Sequence, residues 1–367
     1  MFRVAFLVAF ALSGCSAADV ADPVPDPPRF RLVAYVHGGT PGAIARIGAE
    51  KLTHVNYAFA NVTPDGEVVL EGAADADRLR ALVGLRERNP SLKVLLAIGG
   101  WSWSDHFSDA ALTSASRSRF AESAAALVRD HDLDGIDVDW EYPGQPGEGN
   151  THRPEDRETF TLLLEAVRDA LEDGQLVTIA AAAGQRYLDH TNMAAAHRHL
   201  DFVNLMTYDY AGAWSARTAH HANLYPSASG GASSSRAVEQ MVAAGVPASK
   251  VVLGAAFYGY EWRGVEGGSD GLGRPFSGAV TARSYADLEA GFIDRGGFRR
   301  VWDEGAQAPT LWNAASRTFI SYEDPASVAA KAAYARSQGL GGLMYWQHHH
   351  DPAERLLDAA RRGLEGE

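Results

Sequence analysis

Short apolar or alternating runs recur along this chain, separated by stretches in which an apolar residue returns every third or fourth position. Eight runs have the length of a strand: Arg31–His37, Leu52–Ala60, Leu92–Gly99, Leu133–Glu141, Leu176–Gly184, Asp201–Tyr208, Lys250–Tyr258 and Leu340–Gln347. Between them, Arg157–Leu171 places Phe160, Leu163, Leu164, Val167 and Leu171 on one stripe behind Pro154. Ser118–Asp130 does the same with Phe120, Ala124, Leu127 and Val128. Strands alternating with helices predict an α/β protein built as a closed parallel (β/α)8 barrel of the TIM type. One connection breaks the rhythm. Between the seventh and eighth runs, residues 260–321 are rich in glycine and aromatics and carry short β-like runs. This stretch reads as a small α+β insertion subdomain between strands 7 and 8, on the loop side of the barrel, with a helix over Asp324–Gln338 after it. The barrel then takes residues 30–259 and 322–367.

Apolar residues make up 46% of the 367 and charged residues 22%, enough to bury a core and to exclude wholesale disorder. The formal net charge is −13 without a Lys/Arg cluster, which argues against nucleic acid and anionic membrane surfaces as partners. A neutral polymer or small molecule is the easier ligand. The longest apolar run, Val4–Leu12, is far short of the ~20 residues that span a bilayer. It follows Arg3 and leads into small residues, so residues 1–14 read as an export signal. Leu12-Ser13-Gly14-Cys15 resembles a bacterial lipobox, with the single cysteine of the chain at the lipidated position. Residues 15–29 hold Pro23, Pro25, Pro27 and Pro28 among acids and read as an extended tether. The expectation is an exported monomer, held in the cell envelope (outer membrane or cell surface) through a lipid on Cys15 and touching the membrane in no other way.

The chemistry concentrates in Asp134-Gly135-Ile136-Asp137-Val138-Asp139-Trp140-Glu141-Tyr142. Alternation along a strand puts Asp137, Asp139 and Glu141 on one face, each about 6.6 Å beyond the last, and Ile136, Val138 and Trp140 on the other. In a barrel the acidic face points inward. Carboxylates there are costly unless hydrogen-bonded, protonated or functional. An exposed edge strand would explain the acids but not the apolar opposite face. Ligands spread along a straight strand lie too far apart for one metal ion, so no metal and no cofactor are expected. Crowded like charges drive one pKa upward. Glu141, near the C-terminal end of its strand where barrel active sites open, is the candidate proton donor. Asp139 is its deeper partner, and Asp137 can share a proton with Asp139. Asp134 is out of phase and secures the turn into the strand.

Asp134-x-x-Asp137-x-Asp139-x-Glu141 matches a D-x-x-D-x-D-x-E motif, and by it the chain resembles glycoside hydrolase family 18, the chitinase family. Leu95-Leu96-Ala97-Ile98-Gly99-Gly100-Trp101 resembles the family's strand-three motif, and Met206-Thr207-Tyr208-Asp209 its M-x-Y-D. Gly342-Leu343-Met344-Tyr345-Trp346 resembles its strand-eight ending, Tyr57-Ala58-Phe59-Ala60 its strand two, and residues 260–321 its insertion domain. The likeness runs over residues 30–362. It implies retaining, substrate-assisted hydrolysis of chitin or another polymer of β-1,4-linked N-acetylglucosamine. Under it Glu141 is general acid and base, Asp139 orients the acetamido group, Asp137 lies beneath Asp139, and Tyr208 donates to the acetamido oxygen. Trp346 would floor the reacting subsite, and Met206, Asp209, Trp101, Trp214, Tyr35 and Phe59 would contact sugar. The alternatives are a non-catalytic chito-oligosaccharide-binding protein on the same fold, or an endo-N-acetylglucosaminidase acting on N-glycan or cell-wall glycan.

Three positions depart from the family pattern. Ala97 stands where a serine commonly hydrogen-bonds the deepest aspartate, which unsettles the proton sharing of Asp137. Tyr260-Glu261 replaces a frequent Arg-Gly after strand seven and removes one usual sugar contact. Gly38-Gly39 after strand one predicts a more open minus side of the cleft. His348-His349-His350 reads as a loop at the cleft rim rather than a metal site.

Overall fold

The computed structural model describes Met1, Phe2 and residues 30–228 and 230–367. Cys15, the tether and most of the export signal lie outside them. Eight parallel strands run Arg31–His37, His54–Val62, Lys93–Gly99, Gly135–Asp139, Leu176–Ala182, Phe202–Met206, Val251–Ala256 and Gly342–Trp346. Each pairs with the next around a ring, and the eighth returns to the first from Arg31↔Gly342 to Ala34↔Tyr345, so the sheet closes. The (β/α)8 barrel expected from the alternating pattern is present, each strand on its predicted run.

Alternation of side chains separates two apolar bodies. Ile136, Val138 and Trp140 join Leu32, Ala34 and Val36 in the large core between sheet and helices. Val33, Tyr35, Ala97, Phe202, Val252 and Met344 fill the hollow of the barrel. The helices are set by their caps and stripes. Ser114–Asp130 opens on a capping box in which Thr113 and Ser116 each accept the other's backbone N–H. Asp156–Ala170 turns Phe160, Leu163, Leu164 and Val167 inward. Pro325–Ser337 starts behind Asp324, whose carboxylate accepts the N–H groups of Ala326 and Ser327.

Between the seventh and eighth barrel strands a second sheet stands apart. Tyr258–Trp262, Val280–Ser284, Arg299–Asp303, Ala308–Asn313 and Thr318–Ser321 pair antiparallel in five strands, with a helix at Tyr285–Gly291. A buried ion pair locks its return to the barrel. Glu323 accepts from Lys331 Nζ at 2.7 Å and from the Ala256 N–H at 2.8 Å, and Lys331 also donates to the Gly254 carbonyl at 3.0 Å. Among the described residues no helix is long and apolar enough to cross a membrane.

Candidate active site

The fourth barrel strand stops at Asp139, and Trp140 fixes the course of the chain beyond it. Its indole stacks on Phe107 with centroids 5.4 Å apart and meets Phe160 edge-on at 5.9 Å. With Trp140 held outward, Asp139 and Glu141 are committed to the inside. Ser104 closes the turn: its Oγ accepts the Glu141 N–H at 2.9 Å and donates to the Gly100 carbonyl at 2.9 Å. Glycine is required alongside. Gly99 has φ +102°, and a Cβ there would stand 2.4 Å from the Asp139 carbonyl oxygen.

Asp137, Asp139 and Glu141 are 0%, 4% and 9% exposed. Asp137 is the deepest. Its Oδ2 accepts from Tyr35 Oη at 2.6 Å, and its Oδ1 accepts from Thr178 Oγ1 at 2.5 Å and Asn204 Nδ2 at 3.0 Å. Both oxygens are occupied, and among the described residues no hydrogen bond joins Asp137 to Asp139. Asp137 thus sits in a three-donor cradle. Sheet register sets Asp137 between Ala97 and Thr178. The hydroxyl absent from strand three thus comes from strand five. Asp134 pins the strand's start, accepting from the Val94 N–H at 2.8 Å and from Lys93 Nζ at 2.9 Å.

Asp139 Oδ1 is buried without a hydrogen-bond partner. Burial, then the charges of Glu141 and Asp137, push its pKa well above the usual carboxylate range. Glu141 is pushed up to about 7, chiefly by burial; the Tyr142 hydroxyl that hydrogen-bonds it pulls the other way, and the Asp209 carboxylate adds to the rise. The two acids titrate as a pair. A carboxyl that keeps its proton near neutral pH, beside a second one, is what proton donation to a leaving oxygen requires.

Both acids open into a cleft of about 1320 Å³ at the C-terminal mouth of the barrel. Strand eight supplies a platform, Trp346, which Phe59 overlaps at 5.6 Å and 20° and which Tyr35 flanks at 5.9 Å. Phe59 is out of phase with Asn56 and Ala58, and the register shift between Ala58 and Ala60 accompanies its turn inward. Met206 and Tyr208 come from strand six, and the Tyr208 hydroxyl reaches the sulfur of Met344 at 3.9 Å. Asp209 takes φ +59°, is open to solvent in the cleft and accepts from Tyr258 Oη at 2.5 Å. Crowding by the surrounding protein raises its pKa, against the hydrogen bonds from Tyr258 and Tyr260. Trp101 and Trp214 stand 50% and 64% exposed, beside Tyr142 and Tyr260 respectively. Ten of the eleven candidate residues thus line one cleft, and Asp137 alone lies beneath it.

Several neighbours were not singled out from the sequence. Thr178 and Asn204 could have been, since each is a polar residue at an inward phase of an apolar strand. Ser104 carries no such signal, because only the fold brings its loop under Glu141. Tyr142 and Tyr258 lie next to or between named residues, yet their partners are set by loop geometry. Glu261 proves structural: it is 2% exposed and accepts from Arg263 Nε at 2.6 Å and Arg283 Nε at 2.8 Å. Of the two glycines after strand one, Gly38 faces open space, with nothing within 4 Å of where a Cβ would stand. A Cβ on Gly39 would stand 2.3 Å from His349 Nε2, because the loop after strand eight approaches the backbone there. His349 and His350 line the cleft, and among the described residues no group of three His, Cys, Asp or Glu side chains could hold a metal ion.

Comparison with known proteins bears on this geometry. The family model described as Glycosyl hydrolases family 18 matches residues 31–351. Chitinase A1 of Niallia circulans is 36% identical over 390 residues, covering 88% of this chain and 56% of its own length. The chain therefore spans just over half of that relative. Chitinase B of Serratia marcescens is 30% identical over 381 residues, covering 85% of this chain and 76% of its own length. Among solved structures, a glycoside hydrolase family 18 N-acetylglucosaminidase from Paenibacillus barengoltzii superposes with a TM-score of 0.83 at 40% identity, over 91% of this chain and 99% of that one. The match runs from the first barrel strand past the eighth and takes in every acid of the buried row, so the chain belongs to glycosyl hydrolases family 18.

Proposed function

We propose that this chain is a chitinase-type glycosidase that cleaves β-1,4-linked N-acetylglucosamine chains with retention of configuration. The observation that carries the reading is the buried Asp139–Glu141 pair, raised in pKa and open to a cleft floored by Trp346. Protonated Glu141 gives its proton to the glycosidic oxygen. As that C–O bond breaks, the carbonyl oxygen of the substrate's own acetamido group bonds to the anomeric carbon and forms an oxazolinium ion. Asp139, whose Oδ1 has no hydrogen-bond partner among the described residues, accepts the acetamido N–H and stabilises the developing positive charge. The Tyr208 hydroxyl donates to the acetamido oxygen. Water then attacks the anomeric carbon from the face the leaving group vacated, Glu141 takes its proton, and the ring reopens. Two inversions leave the configuration unchanged. The names of the relatives, chitinases among them, support the substrate class.

Incubation with colloidal chitin and chitohexaose tests the reading. Soluble oligosaccharides are expected, and Glu141→Gln should lose ~10²–10⁴-fold in turnover while still binding. No release from either substrate would overturn it. We also propose that the protein acts as an exported monomer lipidated on Cys15, which rests on Leu12-Ser13-Gly14-Cys15. Metabolic labelling with palmitate should mark the wild type and not Cys15→Ser.

A further inference from the structure

The order of strands sets Glu141 and Trp346 on opposite sides of the barrel mouth. The fourth strand leads to Glu141 and the eighth carries Trp346, and each is four places from the other whichever way the ring is followed. Under the proposed mechanism, the sugar that supplies the acetamido group lies over Trp346 and its leaving partner toward Glu141. The non-reducing part of a chain therefore continues past Trp346 toward the loops after strands eight and one.

Those loops are joined there. The His349 N–H donates to Gln347 Oε1 at 3.0 Å, which fixes the loop after strand eight. Beneath it His348 Nδ1 meets Tyr345 Oη at 3.0 Å. The His349 ring lies on the bare backbone of Gly39, so that a Cβ there would stand 2.3 Å from its Nε2. Gly39, at φ +85°, has its carbonyl held by Arg78 Nε at 2.9 Å. His37 stands beside them, 5.8 Å from the Trp346 ring. A wall held from both sides is thus built at Gly39, next to the open space over Gly38.

We infer that His349, seated on Gly39 and flanked by His37, closes the non-reducing end of the cleft, so that the enzyme attacks chain ends and releases one or two sugars at a time. This inference rests on the function proposed above. It makes His349 a specificity-determining residue: it sets where a chain can stop, not how the bond breaks.

The test is early product analysis on chitohexaose labelled at its reducing end, with the viscosity of a soluble chitin derivative followed in parallel. Mono- and disaccharide should exceed longer unlabelled fragments by at least about tenfold, with viscosity falling slowly. Trimers and tetramers in comparable amounts, or a rapid fall in viscosity, would overturn the inference while leaving the hydrolase reading intact. Failure to cleave chitohexaose at all would overturn the hydrolase reading instead. His349→Ala should open the wall and admit longer unlabelled fragments. Arg78→Ala, which frees the Gly39 carbonyl from outside the cleft, should move the pattern the same way by less. Product patterns unchanged in both variants would show that another feature stops the chain.

Discussion

Tyr35 donates its hydroxyl to Oδ2 of Asp137 at 2.6 Å, tying the first barrel strand to the fourth through the hollow of the barrel. Both residues are buried, so no water can replace the bond. Tyr35→Phe leaves the carboxylate short of one of its three donors, at a cost of roughly 1–3 kcal/mol. Loss of a donor to the charged form also raises the folded pKa of Asp137. The destabilisation is then fully present at neutral pH and shrinks as acidification protonates Asp137. Thermal unfolding of both proteins between pH 4 and 8 should show melting temperatures that converge toward the acid end.

The raised pKa of Glu141 has two separable consequences. In the general-acid role proposed for it, Glu141 must be protonated, so kcat/KM should fall as pH rises through about 7. Removing the Asp209 charge lowers that pKa, so Asp209→Asn should move the falling limb to lower pH. For stability, the folded state binds more protons than the unfolded one between the ordinary value of 4.5 and about 7. Stability therefore declines with rising pH across that window, by an amount on the order of 3 kcal/mol. Glu141→Gln removes the part of that decline due to Glu141 and leaves the part due to Asp139. Its melting temperature should exceed that of the wild type at pH 8 and match it near pH 4.

Trp346 offers a flat apolar face to the cleft, and its orientation is set by Phe59 and Tyr35. Trp346→Ala should lower kcat/KM on chito-oligosaccharides by ~10–100-fold, corresponding to about 1.5–3 kcal/mol of lost aromatic burial. Trp346→Phe should recover part of it. A wild-type kcat/KM in the alanine variant would exclude the platform role.

The Glu323–Lys331 pair joins the second sheet to the barrel, with exposures of 2% and 1%. Lys331→Met strands a buried carboxylate and should destabilise by roughly 3–5 kcal/mol. Adding Glu323→Gln should recover much of that loss. Urea unfolding of the single and double variants measures both, and equal losses in the two would mean that packing, not charge, dominates the site.

Much of the barrel was legible in the chain itself. A strand buried on both faces has to be apolar on one side and chosen for the hollow on the other. Ile136, Val138 and Trp140 against Asp137, Asp139 and Glu141 show that division in the sequence alone. The eight runs and the helices at Arg157–Leu171 and Ser118–Asp130 were readable for the same reason: period two and period 3.6 are local properties. The residues lining the cleft were legible where they continued a strand in phase, as Met206, Tyr208 and Trp346 do.

What the chain by itself determined is the row of acids, the alternation that turns it inward and the eightfold rhythm of strands. Each depends on residues only a few positions apart. The tertiary structure decided the rest. Thr178 and Asn204 become the donors that Ala97 cannot be, because register sets Thr178 beside Asp137 and barrel closure brings the Asn204 side chain to it from strand six. His349 fills the space beside Gly39 because ring closure brings the end of strand eight against the end of strand one. Contacts between residues at opposite ends of the chain depend on closure and register, and a periodic pattern carries neither.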